Sequence, residues 1–209
     1  MTVEIRPEQP ADRHAVRRVI EAAFGDQGRE EHGRDVADLW GSIGRHQRAS
    51  LVLEENGRVV GHVGLSRAWV DARRALVDVW LLSPLAIVPE RQRAGFGTAL
   101  LAAAVQTARG SGAPGLFLEG SPLYYGARGF VRADRHGFVP AALERTPRAA
   151  FQCALFDSHE DWMTGQLVYP GIWWERDAAG LRDPHLAELE KRFASTPLEA
   201  GEAPPPPER

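Results

Sequence analysis

The residues whose types and spacing best fit chemistry are Gln92, Arg93, Ala94, Gly95, Phe96, Gly97 and Thr98, a short basic loop between an apolar run and a helical one. Glycines at 95 and 97 let backbone N–H groups approach an anion with no Cβ in the way. From Thr98 onward, Leu100, Leu101, Ala104, Val105 and Ala108 fall on one helical face. The first turn of such a helix carries unpaired N–H groups and the positive end of the helix dipole, so a phosphate is favoured there. Arg91 and Arg93 add positive charge nearby. Two common phosphate loops are excluded. The dinucleotide fingerprint wants a third glycine where this chain has Leu100, and the P-loop wants a Gly-Lys-Ser/Thr that is missing.

The elements that must hold this loop can be read on both sides of it. Ala75 to Val88 predicts a strand, with Leu81 to Val88 its apolar end and Pro89 the turn. Pro84 cannot donate to a ladder, so the strand should splay from a neighbour there and leave backbone groups for a ligand. Before it, Thr2 to Arg6 alternates as a first strand, and Asp12 to Phe24 and Glu30 to Trp40 are amphipathic helices. Gly25, Gly28 and Gly33 suggest mobility in that helical pair. Ser50 to Glu54 and Arg58 to Val70 are strands joined at Asn56-Gly57, a strong hairpin signal. After the loop's helix come a strand at Gly115 to Glu119, a short helix near Leu123 to Arg128 and a return strand from Gly129-Phe130. Ala150 to Phe156 is a further strand, and Gly165 to Tyr169 extends or covers the sheet. The order predicts a mixed α/β sheet layered with helices. Asp183 to Phe193 carries Leu186, Leu189 and Phe193 at helical spacing, and the proline-rich stretch after Thr196 has little to bury.

Three pieces in order resemble one family. Gln92-Arg93-Ala94-Gly95-Phe96-Gly97 resembles the Gln/Arg-x-x-Gly-x-Gly/Ala signature of the GNAT acetyltransferases, set between a strand and a helix as that family requires. Leu118 to Pro122 followed by Tyr124-Tyr125-Gly126-Ala127-Arg128-Gly129-Phe130 is similar to the family's aromatic-Tyr-x-x-x-Gly-Phe segment. Leu82-Ser83-Pro84-Leu85-Ala86 is similar to the YhbS-like acetyltransferase branch. The resemblance covers about residues 2 to 175.

The resemblance implies an acyl-CoA N-acyltransferase fold, with a mostly antiparallel mixed sheet flanked by helices. It implies acetyl-CoA as co-substrate and transfer of acetyl to a primary amine. Backbone groups of Leu85, Ala86, Ile87 and Val88 would hold the pantetheine arm, and Gln92 to Thr98 the pyrophosphate. Tyr125, four residues before Gly129, takes the position of the acid for the coenzyme thiol, with Tyr124 packing on the coenzyme. A phenol with a reference pKa near 10 is protonated at neutral pH and can serve as that acid. Glu119 ends the strand opposite and is the candidate base. Glu54, His62 and Asp78 are lesser base candidates, each read first as a surface or structural residue, Ser83 lines the cleft, and Trp69, Trp80, Trp173 and Trp174 are core or acceptor-site walls. The helical pair would lie beside the acceptor, a small molecule or peptide amine. A deep apolar pocket beside Leu85 and Leu123 would favour a longer acyl donor. A non-catalytic acyl-CoA-binding sensor is the alternative on the same fold.

Composition bounds the rest. The 209 residues suffice for one domain with a sizeable core, read as a catalytic unit over 1–175, a helical extension over 176–196 and a tail over 197–209. A net charge of -3 argues against nucleic acid as a partner. No apolar run is long enough for a membrane span and no leader is visible at Met1 to Arg6, so a cytoplasmic protein is expected. The single cysteine, Cys153, cannot form an internal disulfide and sits in an apolar run as a core residue. The seven histidines are scattered, so no metal is expected. A homodimer through the late strands or the 183–193 helix is left open.

Overall fold

The computed structural model describes residues 2–25 and 29–194. Strand β1 (Val3–Pro7) leads into helices α1 (Arg13–Phe24) and α2 (Glu30–Ser42). Strands β2 (Gln47–Glu55), β3 (Arg58–Ala72) and β4 (Leu76–Ile87) follow. Asn56 and Gly57, both left-handed at φ 49° and 80°, make the β2–β3 turn that their types demand. Helix α3 (Phe96–Gly110), strand β5 (Gly115–Glu119), the one-turn helix α4 (Pro122–Gly126) and the two-residue strand β6 (Val131–Arg132) come next. Short β7 (Phe138–Val139), β8 (Phe151–Leu155), β9 (Gly165–Val168), α5 (Gly171–Glu175) and α6 (His185–Ala194) complete the described chain. Gly28, expected to be mobile, and the 197–209 tail lie outside the described residues.

Among the described residues the strands form one nine-stranded sheet whose main path runs β1-β2-β3-β4-β5-β8-β6. Every neighbouring pair is antiparallel except β4 with β5 and the peripheral β7 with β9. β8 inserts between β5 and β6, so the return strand begun at Phe130 becomes an edge. β9 extends the sheet by pairing Gly165–Val168 with the end of β3, past the point where β2 stops.

Alternation along β3 assigns the two faces. A Cβ at Gly61 would lie 2.9 Å from Leu100 Cδ1, so this face receives α3, whose Leu100, Leu101, Ala104 and Ala108 are buried. A Cβ at Gly64 would lie 2.5 Å from the Trp40 ring, so the opposite face receives α2. The sheet is thus covered on both sides by helices, as the order of elements predicts.

The glycines of the helical pair have a different reason from mobility. A Cβ at Gly33 would lie 2.5 Å from the Glu21 carbonyl oxygen and 2.8 Å from Gly25 N. A Cβ at Gly25 would meet Glu30 Cα of α2 at 3.2 Å, besides the Glu21 oxygen of its own helix at 2.5 Å. Both are glycine because two helical backbones touch there, which corrects the mobility reading at these two positions.

Candidate active site

The loop before α3 takes a tight path. Arg93 and Gly95 are both left-handed, at φ 64° and 86°. Gly95 is the residue preceding the helix, and its carbonyl accepts the first bond, from Ala99 N at 3.1 Å. Phe96, Gly97 and Thr98 therefore form the first turn with their amides unused by the helix. The helix begins two residues earlier than its apolar pattern shows, because Phe96 and Gly97 add nothing to the buried stripe. Three amides unused by the helix, the dipole and the exposed Arg93 make this end electropositive.

Arg91 does not add its charge here. Its guanidinium is paired with Glu55, which is 9% exposed, and lies 5.5 Å over the Phe96 ring. The second cation at the loop is one that the sequence reading passed over, Arg128. Its Nε donates to Thr98 Oγ1 at 2.9 Å and one terminal nitrogen donates to the Tyr124 carbonyl at 2.6 Å. Its guanidinium also lies 3.8 Å above the Tyr124 ring. The variable positions of the Tyr-x-x-x-Gly-Phe segment gave no signal for this. Its spacing from Tyr124, one helical turn, was the available hint.

The strand expected to hold the pantetheine arm does splay. β4 pairs with β5 only at Trp80↔Leu116 and Leu81↔Phe117. On its other edge β4 stays paired with β3, with Leu85, Ala86 and Ile87 opposite Val63, His62 and Gly61. Between Leu82 and Leu85 the register with β3 shifts, which places Ser83 and Pro84 in a bulge. Past Leu81 the β5-facing edge of β4 therefore has no strand partner among the described residues. Val88 N still donates to Val60 O, and the Gln92 side chain turns back to donate to the Ile87 carbonyl. Gln92 thus ties the loop to the strand.

Opposite this open edge stands the segment that leaves β5. Ser121 caps α4 by accepting from Tyr124 N, and Pro122 occupies the first turn, where its missing N–H costs nothing. The Tyr124 hydroxyl lies 2.6 Å from where a Cβ at Gly97 would sit, over the phosphate loop. The Tyr125 ring packs on Gly120, whose Cβ would meet it at 2.4 Å, and edge-on to Tyr124 and Phe130. Burial, then Tyr124, push the Tyr125 phenol upward against the opposing effect of Arg128, so it is protonated throughout the physiological range.

Glu119 ends β5 with its carboxyl accepting from the Tyr169 hydroxyl at 2.6 Å. Burial raises its pKa, while Tyr169, Thr146 and Arg145 favour the charged form. The buried Thr146 hydroxyl lies against it outside hydrogen-bond geometry. Tyr169, 4% exposed, packs on Trp173 at 5.2 Å between ring centroids. Trp173 in turn lines a small cavity of about 10 Å³ with Val36, Leu39 and Trp40 of α2, Ile43 just after it, and Ser83 and Pro84 of the bulge.

The residues read as structural are engaged as such. Glu54 pairs with Arg6, and Asp78 with Arg48 and Arg67. His62 is fully buried beside Trp40, its Nε2 2.9 Å from the Ser50 hydroxyl, which itself donates to Glu8. Leu123 is 59% exposed. Burial pushes the Cys153 thiol up to about 12, which keeps it from acting as a nucleophile. Among the described residues no group of His, Cys, Asp and Glu is placed to hold a metal, and no helix is long and apolar enough to cross a membrane.

Comparison with known proteins bears on the same residues. The acetyltransferase (GNAT) family profile matches residues 13–138. An uncharacterized N-acetyltransferase, YjhQ of Escherichia coli K12, is 30% identical over 132 residues, 63% of this chain and 67% of that protein. The crystal structure of a GNAT family acetyltransferase from Brucella melitensis in complex with acetyl-CoA is 30% identical, with a TM-score of 0.63. It covers 82% of this chain and 98% of its own. YhbS of E. coli in complex with CoA shares the fold at a TM-score of 0.69 and 22% identity, over 86% of this chain and 96% of its own. With a family match over more than half its length, a splayed strand pair and a glycine loop at a helix N-terminus, this chain belongs to the GNAT acetyltransferase family.

Proposed function

We propose that this chain transfers acetyl from acetyl-CoA to a primary amine by direct attack in a ternary complex. The observation that carries the reading is the loss of the β5 partner along β4 after Leu81. It opens one edge between the phosphate loop and the segment bearing Glu119 and Tyr125. Leu85 to Val88 offer backbone groups to the pantetheine arm like an added strand, and Gln92 to Thr98 with Arg128 meet the pyrophosphate. That the Brucella relative was crystallised with acetyl-CoA supports this donor.

In the transfer the amine lone pair attacks the thioester carbonyl. The C–N bond forms, the C–S bond breaks, the amine proton passes to Glu119 and the thiolate takes one from Tyr125. A half-buried carboxylate whose pKa is raised by desolvation is a stronger base than an exposed one and is suited to receive the proton. The half-buried Tyr125 phenol is protonated at neutral pH and supplies the O–H that gives one to the thiolate. A non-catalytic sensor needs neither group. The catalytic unit is residues 1–175, with 176–196 an extension stitched on by Leu181 N donating to Arg145 O. A cytoplasmic location and an acceptor that is neither nucleic acid nor membrane complete the reading.

Tyr125→Phe tests it. Thiol release from acetyl-CoA in the presence of amine should fall roughly a hundredfold, while the calorimetric Kd for acetyl-CoA changes less than about twofold. Equal turnover removes Tyr125 as the acid.

A further inference from the structure

α4 is a single turn that ends at Gly126, and the flank of α3 is open toward β8 beyond it. A groove of about 400 Å³ lies there, between Val105 and Arg109 of α3, Arg128 just after α4, and Phe130, His136 and Leu155. Its lining carries three basic side chains and, among the described residues, no carboxylate. Two of the three have donors to offer. Arg109 lies 5.3 Å over the Phe156 ring and has no hydrogen-bonded or ionic partner among the described residues. Arg128 uses Nε and one terminal nitrogen on Thr98 and Tyr124, and its other terminal nitrogen has no protein partner there. Arg132, by contrast, is next to the groove in sequence and is paired with Asp134. Val105, Phe130 and Leu155 supply apolar surface between these cations. The combination suits a ligand with a flat, weakly polar body and an anionic substituent.

The groove is joined to the loop before α3 by Arg128, which lines it and donates to Thr98 in the first helical turn. Val105 is seven residues past Thr98, about 10 Å along the helix axis, and Arg109 about 16 Å. A nucleoside attached to a phosphate at that first turn would extend along this flank. We infer that the groove receives the adenosine 3′-phosphate end of the coenzyme, with Arg109 as the residue that recognises the 3′-phosphate. Adenine presents flat faces to apolar side chains, and a guanidinium without a partner is suited to a phosphate. The inference rests on the acetyl-CoA reading and adds to it a recognition point remote from the thioester. Arg109 is thus a binding residue, whose loss changes affinity and leaves the chemical step alone.

The test is calorimetric binding of acetyl-CoA and of acetyl-dephospho-CoA, which lacks only the 3′-phosphate, to the full chain and to its Arg109→Gln variant. The full chain should bind the dephospho form about tenfold more weakly. Arg109→Gln should weaken acetyl-CoA about fivefold and the dephospho form less than about twofold, because both changes remove one interaction. Arg135→Gln, at an exposed arginine outside the groove, controls for general charge attraction and should move either affinity less than about twofold. Equal affinity of the full chain for the two coenzymes overturns the inference and leaves acetyl transfer standing. So does an Arg109→Gln variant that weakens both forms alike, or an Arg135→Gln variant that matches it. No binding of either coenzyme overturns the acetyl-CoA reading, and the inference with it.

Discussion

Gly97→Ala is a perturbation whose consequence can be worked from three distances. The added Cβ would lie 2.6 Å from the Tyr124 hydroxyl, then 3.7 Å from Tyr124 Cζ and 3.8 Å from Ile87 Cγ1. The last two are ordinary contacts, so the conflict is with one oxygen. Gly97 sits inside α3 rather than at a left-handed position, so alanine should suit the backbone better than glycine does. The cost therefore appears in the tyrosine, which must tilt and lose part of its stacking under Arg128, now at 3.8 Å. Small overpacking of this kind costs about 1–3 kcal/mol, and a stacked cation about 0.5–1 kcal/mol. Because Arg128 also holds Thr98, the displacement reaches the phosphate loop. We expect acetyl-CoA affinity, measured by calorimetry, to fall about tenfold. Tyr124→Phe removes the offending oxygen. Alone it should change affinity less than about threefold, and with Gly97→Ala it should restore binding to within about threefold of the parent. A double variant as weak as Gly97→Ala alone would refute the reasoning, because the loss would then come from the loop backbone and not from Tyr124.

Further outcomes follow from other parts of the fold. Tyr169→Phe removes a bond that favours charged Glu119, so the acid limb of the kcat/KM profile should move to higher pH, with activity down roughly tenfold at the acid end and little changed at the alkaline end. His62 is lowered from 6.5 to about 3 by burial. With Ser50 donating to Glu8, His62 Nε2–H donates to Ser50, and Nδ1 is left buried with no partner to receive a proton. The unfolded chain binds that proton below about pH 6.5 and the folded chain does not, so stability is lost as pH falls from 6.5 toward 3. The loss is on the order of 4 kcal/mol, and His62→Gln should flatten that part of a denaturant-unfolding series against pH. Gly33→Ala would press a methyl group on the Glu21 carbonyl and the Gly25 backbone and should cost about 2 kcal/mol by urea unfolding. An unchanged midpoint would restore the mobility reading.

Much of the scaffold could be read from residue types because each signal has a single cause. Asn56-Gly57 demands two left-handed residues, Gly115 to Glu119 is an apolar run between turns, and Pro84 breaks a ladder. The path of the glycine loop before α3 was legible for the same reason, since a glycine pair before an amphipathic helix dictates the backbone. What escaped depended on contacts between distant segments. Arg91 was spent on Glu55, thirty-six residues earlier, while Arg128 supplied the cation. Tyr169 reached Glu119 across fifty residues. Glycines at 25 and 33 served close packing, which no local pattern separates from flexibility. The insertion of β8 between β5 and β6 likewise depends on pairing that the order of elements does not specify.

The central claim is direct acetyl transfer from coenzyme to amine, and one experiment addresses it: intact-protein mass and free thiol followed together after mixing with acetyl-CoA, first without and then with a panel of primary amines. The account predicts an unchanged protein mass in both, thiol release only when the amine is present, and acetylated amine equal to the thiol released. A protein that gains one acetyl group before amine is added, or that binds acetyl-CoA and never releases thiol, would contradict it.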